Sequence, residues 1–225
     1  MARFRGGGGQ MTAKRGGKEG KGGKDKSRDK SRKPSVTMAD LADRHELYEA
    51  SVQSVHHEVD FLDQAFKELT GRAARVLRED FCGTAAAACE WVRRGASRHA
   101  VAVDIDPKVL EWGRRHHVAK LKAKQRARLR VIEGDVRTAD TGPVDVTVAF
   151  NFSWWTFKTR AELLGYFRAV HAALADDGVF VLDIYGGSDA YAEQEEETDY
   201  GLFSYVWDQH SFEPVSARYK CHIHF

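Results

Sequence analysis

Val76-Leu77-Arg78-Glu79-Asp80-Phe81-Cys82-Gly83-Thr84-Ala85 is the stretch that decides the fold. An apolar start runs into two carboxylates, then a turn whose one glycine is Gly83, then the small residues Ala86 to Ala88. This pattern predicts strand, tight turn and helix N-terminus, the unit with which an open α/β sheet holds a nucleotide-like ligand. Backbone N–H groups at such a turn ordinarily face a pyrophosphate, where negative charge is unwelcome. Glu79 and Asp80 at its mouth suit a ligand carrying a cation.

Working outward, Asp43 to Gln53 and Val59 to Leu69 are predicted helices. The second puts Val59, Leu62, Phe66 and Leu69 on one face, and Gly71 ends it. Beyond the turn, Ala85 to Arg94 is a helix with Gly95 as its terminal glycine. Ala100 to Asp104 is a short apolar run of the kind buried in parallel sheets. Asp106-Pro107 supplies an N-cap and a first-turn proline for a helix to about His117. Leu129 to Ile132 is a third strand, ending in Glu133-Gly134-Asp135, and Val144 to Phe150 a fourth. Thr159-Arg160-Ala161-Glu162 fits a capping box, for a helix lined by Leu163, Phe167, Val170 and Leu174. Asp176-Asp177-Gly178 then turns into a fifth strand, Val179 to Asp183. Five strand–helix alternations predict a doubly wound, mostly parallel α/β sheet.

After Gly187 the pattern changes. Ala190 to Thr198 is acidic and reads as a short helix or loop. Phe203, Tyr205 and Trp207, then Tyr219, Cys221, Ile223 and Phe225, alternate with polar neighbours around Glu213-Pro214, predicting an antiparallel strand pair. The resulting division is a tail over residues 1–36, helices over 37–70, a ligand-binding core over 71–187, and an acidic loop with a hairpin over 188–225. The pair is either the domain's final hairpin or a substrate arm of a chain cut short; a strand running to Phe225 leaves an uncovered edge, which tips the expectation slightly toward truncation.

Composition separates the tail from the rest. Of 35 Lys or Arg and 33 Asp or Glu, 12 basic and three acidic residues lie in 1–36. That leaves 23 against 30, a net charge of −7, in the remainder. The tail, rich in Gly, Lys, Arg and Ser, is expected to be disordered, a solvated solubility tail or a leader sequence upstream of the true start, with a non-specific nucleic-acid arm as the functional alternative. Cys82, Cys89 and Cys221 have no metal-ligand spacing and are odd in number, which suits reduced thiols and a cytoplasmic setting. No run of about 18 apolar residues predicts a membrane span. The scattered histidines are read as solvated or packing residues, and no metal site is expected.

Taken in order, these residues resemble the class I S-adenosylmethionine (SAM)-dependent methyltransferases over roughly Asp43 to Gly187. Phe81-Cys82-Gly83-Thr84-Ala85 sits where that family reads Gly-x-Gly-x-Gly, Asp104 closes the second strand, Asp135 follows the third, and Asn151 and Asp183 end the fourth and fifth. The resemblance implies SAM as cofactor. Glu79, or its neighbour Asp80, would meet the methionine ammonium, and Gly83 would let backbone approach the ligand. Asp104 would accept both ribose hydroxyls and Asp135 the adenine amino group. Val136 would donate its N–H to the ring and Ile105 pack on its face, while Asn151 and Phe152 line the methyl-transfer end. Phe81 and Ala85 replace two glycines, and since phenylalanine disfavours φ > 0, the turn is expected to differ locally from the family's.

Methyl transfer from a sulfonium needs alignment in a dry pocket more than a catalytic triad, and no catalytic residue is assigned. Trp154, Trp155, Tyr185 and Trp207 are candidates for an acceptor wall. The acceptor is expected to be a small molecule or protein side chain. The rivals are a non-catalytic SAM-fold binding protein using its basic tail, and an NAD(P)-dependent oxidoreductase, which the acids at the turn disfavour.

Overall fold

The computed structural model describes residues 36–225; the tail assigned to residues 1–36 lies outside them except for its last residue. The described residues fall into two units, 36–41 and 42–225. In the first, Thr37 and Asp40 cap each other reciprocally around the short helix α1 (Met38–Leu41).

In the second unit, α2 (Arg44–Val52) starts at Asp43, whose carboxylate accepts the N–H of His45 at 2.8 Å. Helix α3 (Val55–Thr70) buries Val59, Leu62 and Phe66 and ends at Gly71, which takes φ 76°. Leu69, expected on the same face, lies in the last turn and is 71% exposed. Then follow β1 (Val76–Asp80), α4 (Ala86–Arg93), β2 (His99–Asp104), α5 (Pro107–His116), the one-turn α6 (Ala123–Arg126), β3 (Leu129–Glu133), β4 (Val144–Ala149), α7 (Arg160–Ala173) and β5 (Leu174–Leu182). These five strands form a parallel sheet in the order β3-β2-β1-β4-β5.

Alternation along the strands sorts two cores. Leu77, Ala100, Ala102, Val146 and Val148 pack with α3, α4 and Leu110 of α5. Val101, Val103 and Ala149 pack on the other face with Tyr166 and Val170 of α7. Tyr166, absent from the predicted face of α7, is fully buried, whereas Phe167 is 36% exposed. Leu174 opens β5 instead of closing the helix, and the Asp176-Asp177-Gly178 turn is looped out where the register jumps from Val144↔Leu174 to Val146↔Val179. Helix α4 ends at Arg94 with right-handed backbone, so Gly95 is not its left-handed cap.

The remaining strands, β6 (Gln194–Asp199), β7 (Ser204–Glu213) and β8 (Arg218–His224), form an antiparallel sheet in that order. The hairpin is as expected; of the acidic run, Ala190 and Tyr191 close a short 3-10 helix as foreseen, but Gln194 onward is a strand and neither helix nor loop. Its side chains are all exposed, so pairing with β7 overrides the poor strand propensity of glutamate. Among the described residues no helix is long and apolar enough to cross a membrane.

Candidate active site

The strand order reverses between β1 and β4, which open a crevice at their C-terminal ends. It is lined from β1 and its turn by Glu79, Asp80, Phe81, Cys82 and Gly83, and from the β4 end by Phe150, Asn151 and Ser153. Tyr48 of α2, Gln53 at its C-cap and Glu58 of α3 complete it.

Glu79 and Asp80, interchangeable in the sequence, part company here because consecutive strand residues face opposite sides. Glu79 is buried and accepts the N–H of Ala88, in the first turn of α4, at 2.8 Å. Burial first, then the charges of Glu58, Asp104 and Asp80, push its carboxyl up to about 8. Asp80 faces the other core, where Arg78 Nε (2.7 Å) and the Tyr166 hydroxyl (2.9 Å) both donate to it. Burial raises its carboxyl against the pull of Arg78. Asp80 borders the crevice, but its oxygens are committed to that pair. Arg78 is itself 1% exposed and also donates to the carbonyl of Val136.

The turn corrects an expectation. Phe81 and Ala85 adopt φ 54° and 59°, with Gly83 at 52°, so the phenylalanine does take the left-handed backbone it was expected to avoid. Ring packing of Phe81 against Tyr166 (5.6 Å) and Phe157 (6.0 Å) holds it there. The N–H of Cys82 donates to Val103 at 3.0 Å, tying the turn to β2. Thr84 donates to Glu49 of α2, which also meets His117 Nε2 at 2.7 Å. Gly113 of α5 sits against this turn so closely that a Cβ there would meet the Thr84 carbonyl oxygen at 2.2 Å.

Asp104 points into the turn: one oxygen accepts the Gly83 N–H at 2.8 Å and the other the Asp106 N–H at 2.9 Å. Ile105 beside it is 70% exposed. Asp135 is held by the backbone N–H (2.8 Å) and guanidinium (2.6 Å) of Arg137, which keeps its carboxyl below the usual range. Val136 is buried.

After β4, Asn151 and Phe152 both take left-handed backbone, φ 56° and 54°. Their N–H groups donate to the two carboxylate oxygens of Asp183 at 2.7 and 2.8 Å, so the end of β5 clamps the loop. Trp154 donates its indole N–H to the Asp183 carbonyl at 2.8 Å and packs into the α7-side core, which makes it a support and not a cavity wall.

Next to the crevice, sharing Tyr48 and Asn151 with it, lies a cavity of about 480 Å³. Phe152, Tyr185, Tyr205 and Trp207 supply aromatic faces, and Glu196 and Thr198 polar groups. Tyr185 is central: its ring meets Phe152, Trp207 and Tyr219, and its hydroxyl donates to the nearly buried Gln209. Trp155 stands behind this group, against Phe152 and Tyr219.

The structure thus brings Glu79, Gly83, Asp104, Asn151, Phe152, Tyr185 and Trp207 to one region. Sequence reasoning missed Tyr48, Gln53, Glu58, Tyr205 and Glu196. Helix α2 did carry a signal, since Arg44 to Val52 has no clear apolar stripe, and a helix that is polar all round is not held by core packing alone. Burial, then the charge of Asp183, raises the Glu58 carboxyl against the N–H of Ser54.

Residues 80–182 match a family described as "Methyltransferase domain". No curated protein aligns significantly with the sequence. Among solved structures, a SAM-dependent methyltransferase from Clostridium acetobutylicum ATCC 824 is similar, with TM-score 0.61 and 17% identity over 80% of this chain and 77% of that one. SAM-bound CalS10, an amino pentose methyltransferase from Micromonospora echinaspora, gives 0.60 and 18% over 80% and 79%. The glycopeptide N-methyltransferase MtfA complexed with SAM gives 0.50 and 18% over 72% and 75%. At these identities the likeness is one of fold.

Proposed function

Taking as premise that this chain is a class I SAM-dependent methyltransferase, we propose that it methylates a small molecule with a planar or apolar body and a basic amino group. The observation that carries this reading is an acid-lined crevice opening beside an aromatic cavity that holds one carboxylate, Glu196.

The donor set fits the cofactor. Glu58 and Glu79 are two carboxylates raised by burial, with no ion pair to either among the described residues. A cation entering the crevice would relieve both, as the methionine ammonium does. Each Asp104 oxygen accepts one N–H and keeps a lone pair for a ribose hydroxyl. Ile105 would cover the adenine, the Val136 N–H would meet its ring, and Asp135 would reach its amino group by loosening its hold on Arg137. Asp80 we assign to support and not to the ammonium.

Bound SAM supplies an activated methyl group on a sulfonium, open to in-line displacement. The protein's share is placement, worth roughly 7–11 kcal/mol when two reactants are held aligned. Phe152 and Asn151, fixed by Asp183, stand where crevice and cavity join. Tyr185, Tyr205 and Trp207 stack on the acceptor, and Glu196 accepts an N–H of its amine, which attacks in the neutral form. As the new C–N bond forms and the C–S bond breaks, the surplus proton on nitrogen passes to solvent. Three free cysteines, two of them buried, suit a cytoplasmic setting.

The test has two arms. Calorimetry should show SAM and S-adenosylhomocysteine binding and NADH not binding. Methyl transfer from radiolabelled SAM should then occur to aromatic or alicyclic amines and not to matched carboxylic acids or phenols, and Glu196→Gln should weaken amine KM with SAM affinity unchanged. SAM binding with transfer only to oxygen acceptors would overturn the amine reading; SAM binding with no transfer to any acceptor would favour the non-catalytic alternative.

A further inference from the structure

The face of the β6-β7-β8 sheet that turns away from the aromatic cavity carries a second group of side chains with no part in the site above. Residues directly opposite in an antiparallel pair share a face. Glu195, Asp208 and His222 therefore form one row across the three strands, while Trp207, Gln209 and Ile223 look the other way. The register of β7 and β8 slips between Gln209 and Ser211, leaving His210 without a ladder partner. Such bulges re-aim side chains. One donor atom from each of Asp208, His210 and His222 lies within 4.8 Å of the others. The His210 and His222 rings are 5.3 Å apart, and His224 Nε2 is 3.4 Å from Asp208 Oδ2.

We propose that Asp208, His210 and His222 bind one divalent transition-metal ion of the zinc type, with His224 in reach as a fourth ligand. Two or three imidazoles with one carboxylate are a borderline-soft set that suits Zn²⁺, Ni²⁺ or Cu²⁺ and not Mg²⁺ or Ca²⁺. With metal–ligand distances of about 2.0–2.2 Å, tetrahedral ligands sit roughly 3.4 Å apart. Closing from the observed separations therefore takes about an ångström of side-chain movement, which χ rotation of the exposed His210 and His222 supplies. The ion would clip β7 to β8 and so stiffen the strand pair whose inner face carries Trp207 and Ile223. This departs from the sequence expectation, which gave every histidine a solvated or packing role and foresaw no metal.

The test uses the full, untagged chain stripped of metal with a chelator. Titration with Co²⁺ should give visible d–d bands saturating at one equivalent, and Zn²⁺ should abolish them. His210→Gln and His222→Gln should each weaken binding by at least about tenfold, the scale on which metal sites respond to altered ligation, while the exposed His57→Gln should leave it unchanged. Because all three positions are exposed or nearly so, folding is checked by circular dichroism. Imidazole ¹⁵N shifts in the unmutated protein, moving for His210 and His222 on Zn²⁺ addition, give a readout independent of any variant. The proposal is overturned by Co²⁺ spectra without a stoichiometric endpoint, by equal affinity in the His210 and His222 variants, or by Zn²⁺-induced shifts confined to other histidines.

Discussion

Glu79→Gln should make the ligand-free protein more stable at alkaline pH and at the same time worse at holding SAM. The folded-state value of about 8 lies well above the ordinary 4.5 for a glutamate. The folded chain therefore keeps a proton that the unfolded chain releases above pH 4.5. A raised carboxyl does no harm below that pH, destabilises progressively from about 4.5 to 8, and levels off above. At about 1.36 kcal/mol per pH unit, the whole span is on the order of 4–5 kcal/mol. Glutamine still offers the Ala88 N–H an oxygen but never ionises. Urea unfolding followed by circular dichroism should find the two proteins within about 1 kcal/mol of each other near pH 4.5, and the variant ahead by several kcal/mol at pH 8.5. Cofactor binding supplies the complementary measurement. If the ammonium needs ionised Glu79, SAM affinity should fall about tenfold per pH unit below 8 in the unmutated protein, and much less in the variant. Equal stability at pH 8.5, or a wild-type SAM affinity flat from pH 6 to 8, refutes the reasoning.

Gly113→Ala places a methyl 2.2 Å from the Thr84 carbonyl oxygen, with no flexible side chain to yield. Overpacking of that kind costs about 1–3 kcal/mol, and SAM affinity should fall with it because the turn bearing Gly83 must shift; a urea midpoint at the wild-type value speaks against the contact. Ala85→Gly should be nearly neutral, since relief of left-handed strain of about 1–2 kcal/mol offsets a lost buried methyl and the flexibility of glycine. Phe81→Gly should instead destabilise, because the ring contacts with Tyr166 and Phe157 outweigh the strain; denaturant unfolding of the pair checks both signs.

The parallel sheet was legible because each strand–turn–helix unit is specified locally. Asp106-Pro107 and the Thr159–Glu162 box announce their helices through hydrogen bonds spanning two or three residues. What escaped depends on pairing across the chain. Nothing within Gln194–Asp199 marks a strand; the edge of β7 makes it one. The distinction between Glu79 and Asp80 rests on which face each occupies, and the partner that commits Asp80, Tyr166, lies 86 residues away. Glu58 and Tyr48 reach the crevice only because α2 and α3 fold over the ends of β1 and β4. The conformation of Phe81 was misjudged for a related reason: intrinsic φ preference was weighed without the aromatic contacts that override it.

The electrostatics of the crevice bear directly on which nucleoside it takes. A pyrophosphate charge about 6 Å from a carboxylate is repelled by roughly 3 kcal/mol at an effective dielectric of 20, and an ammonium is attracted by the same amount. Glu58 and Glu79 would each contribute a term of this kind when ionised, and no lysine or arginine among the crevice-lining residues offsets it. A dinucleotide would therefore have to bind with both acids protonated, which its own negative charge would enforce by raising them further. Its affinity should then improve as pH falls, whereas that of SAM should improve as pH rises toward 8. The two ligand classes thus predict opposite slopes from the same two carboxylates, and it is the sign of that slope, more than the shape of the glycine turn, that separates a methyl donor from a hydride carrier in this fold.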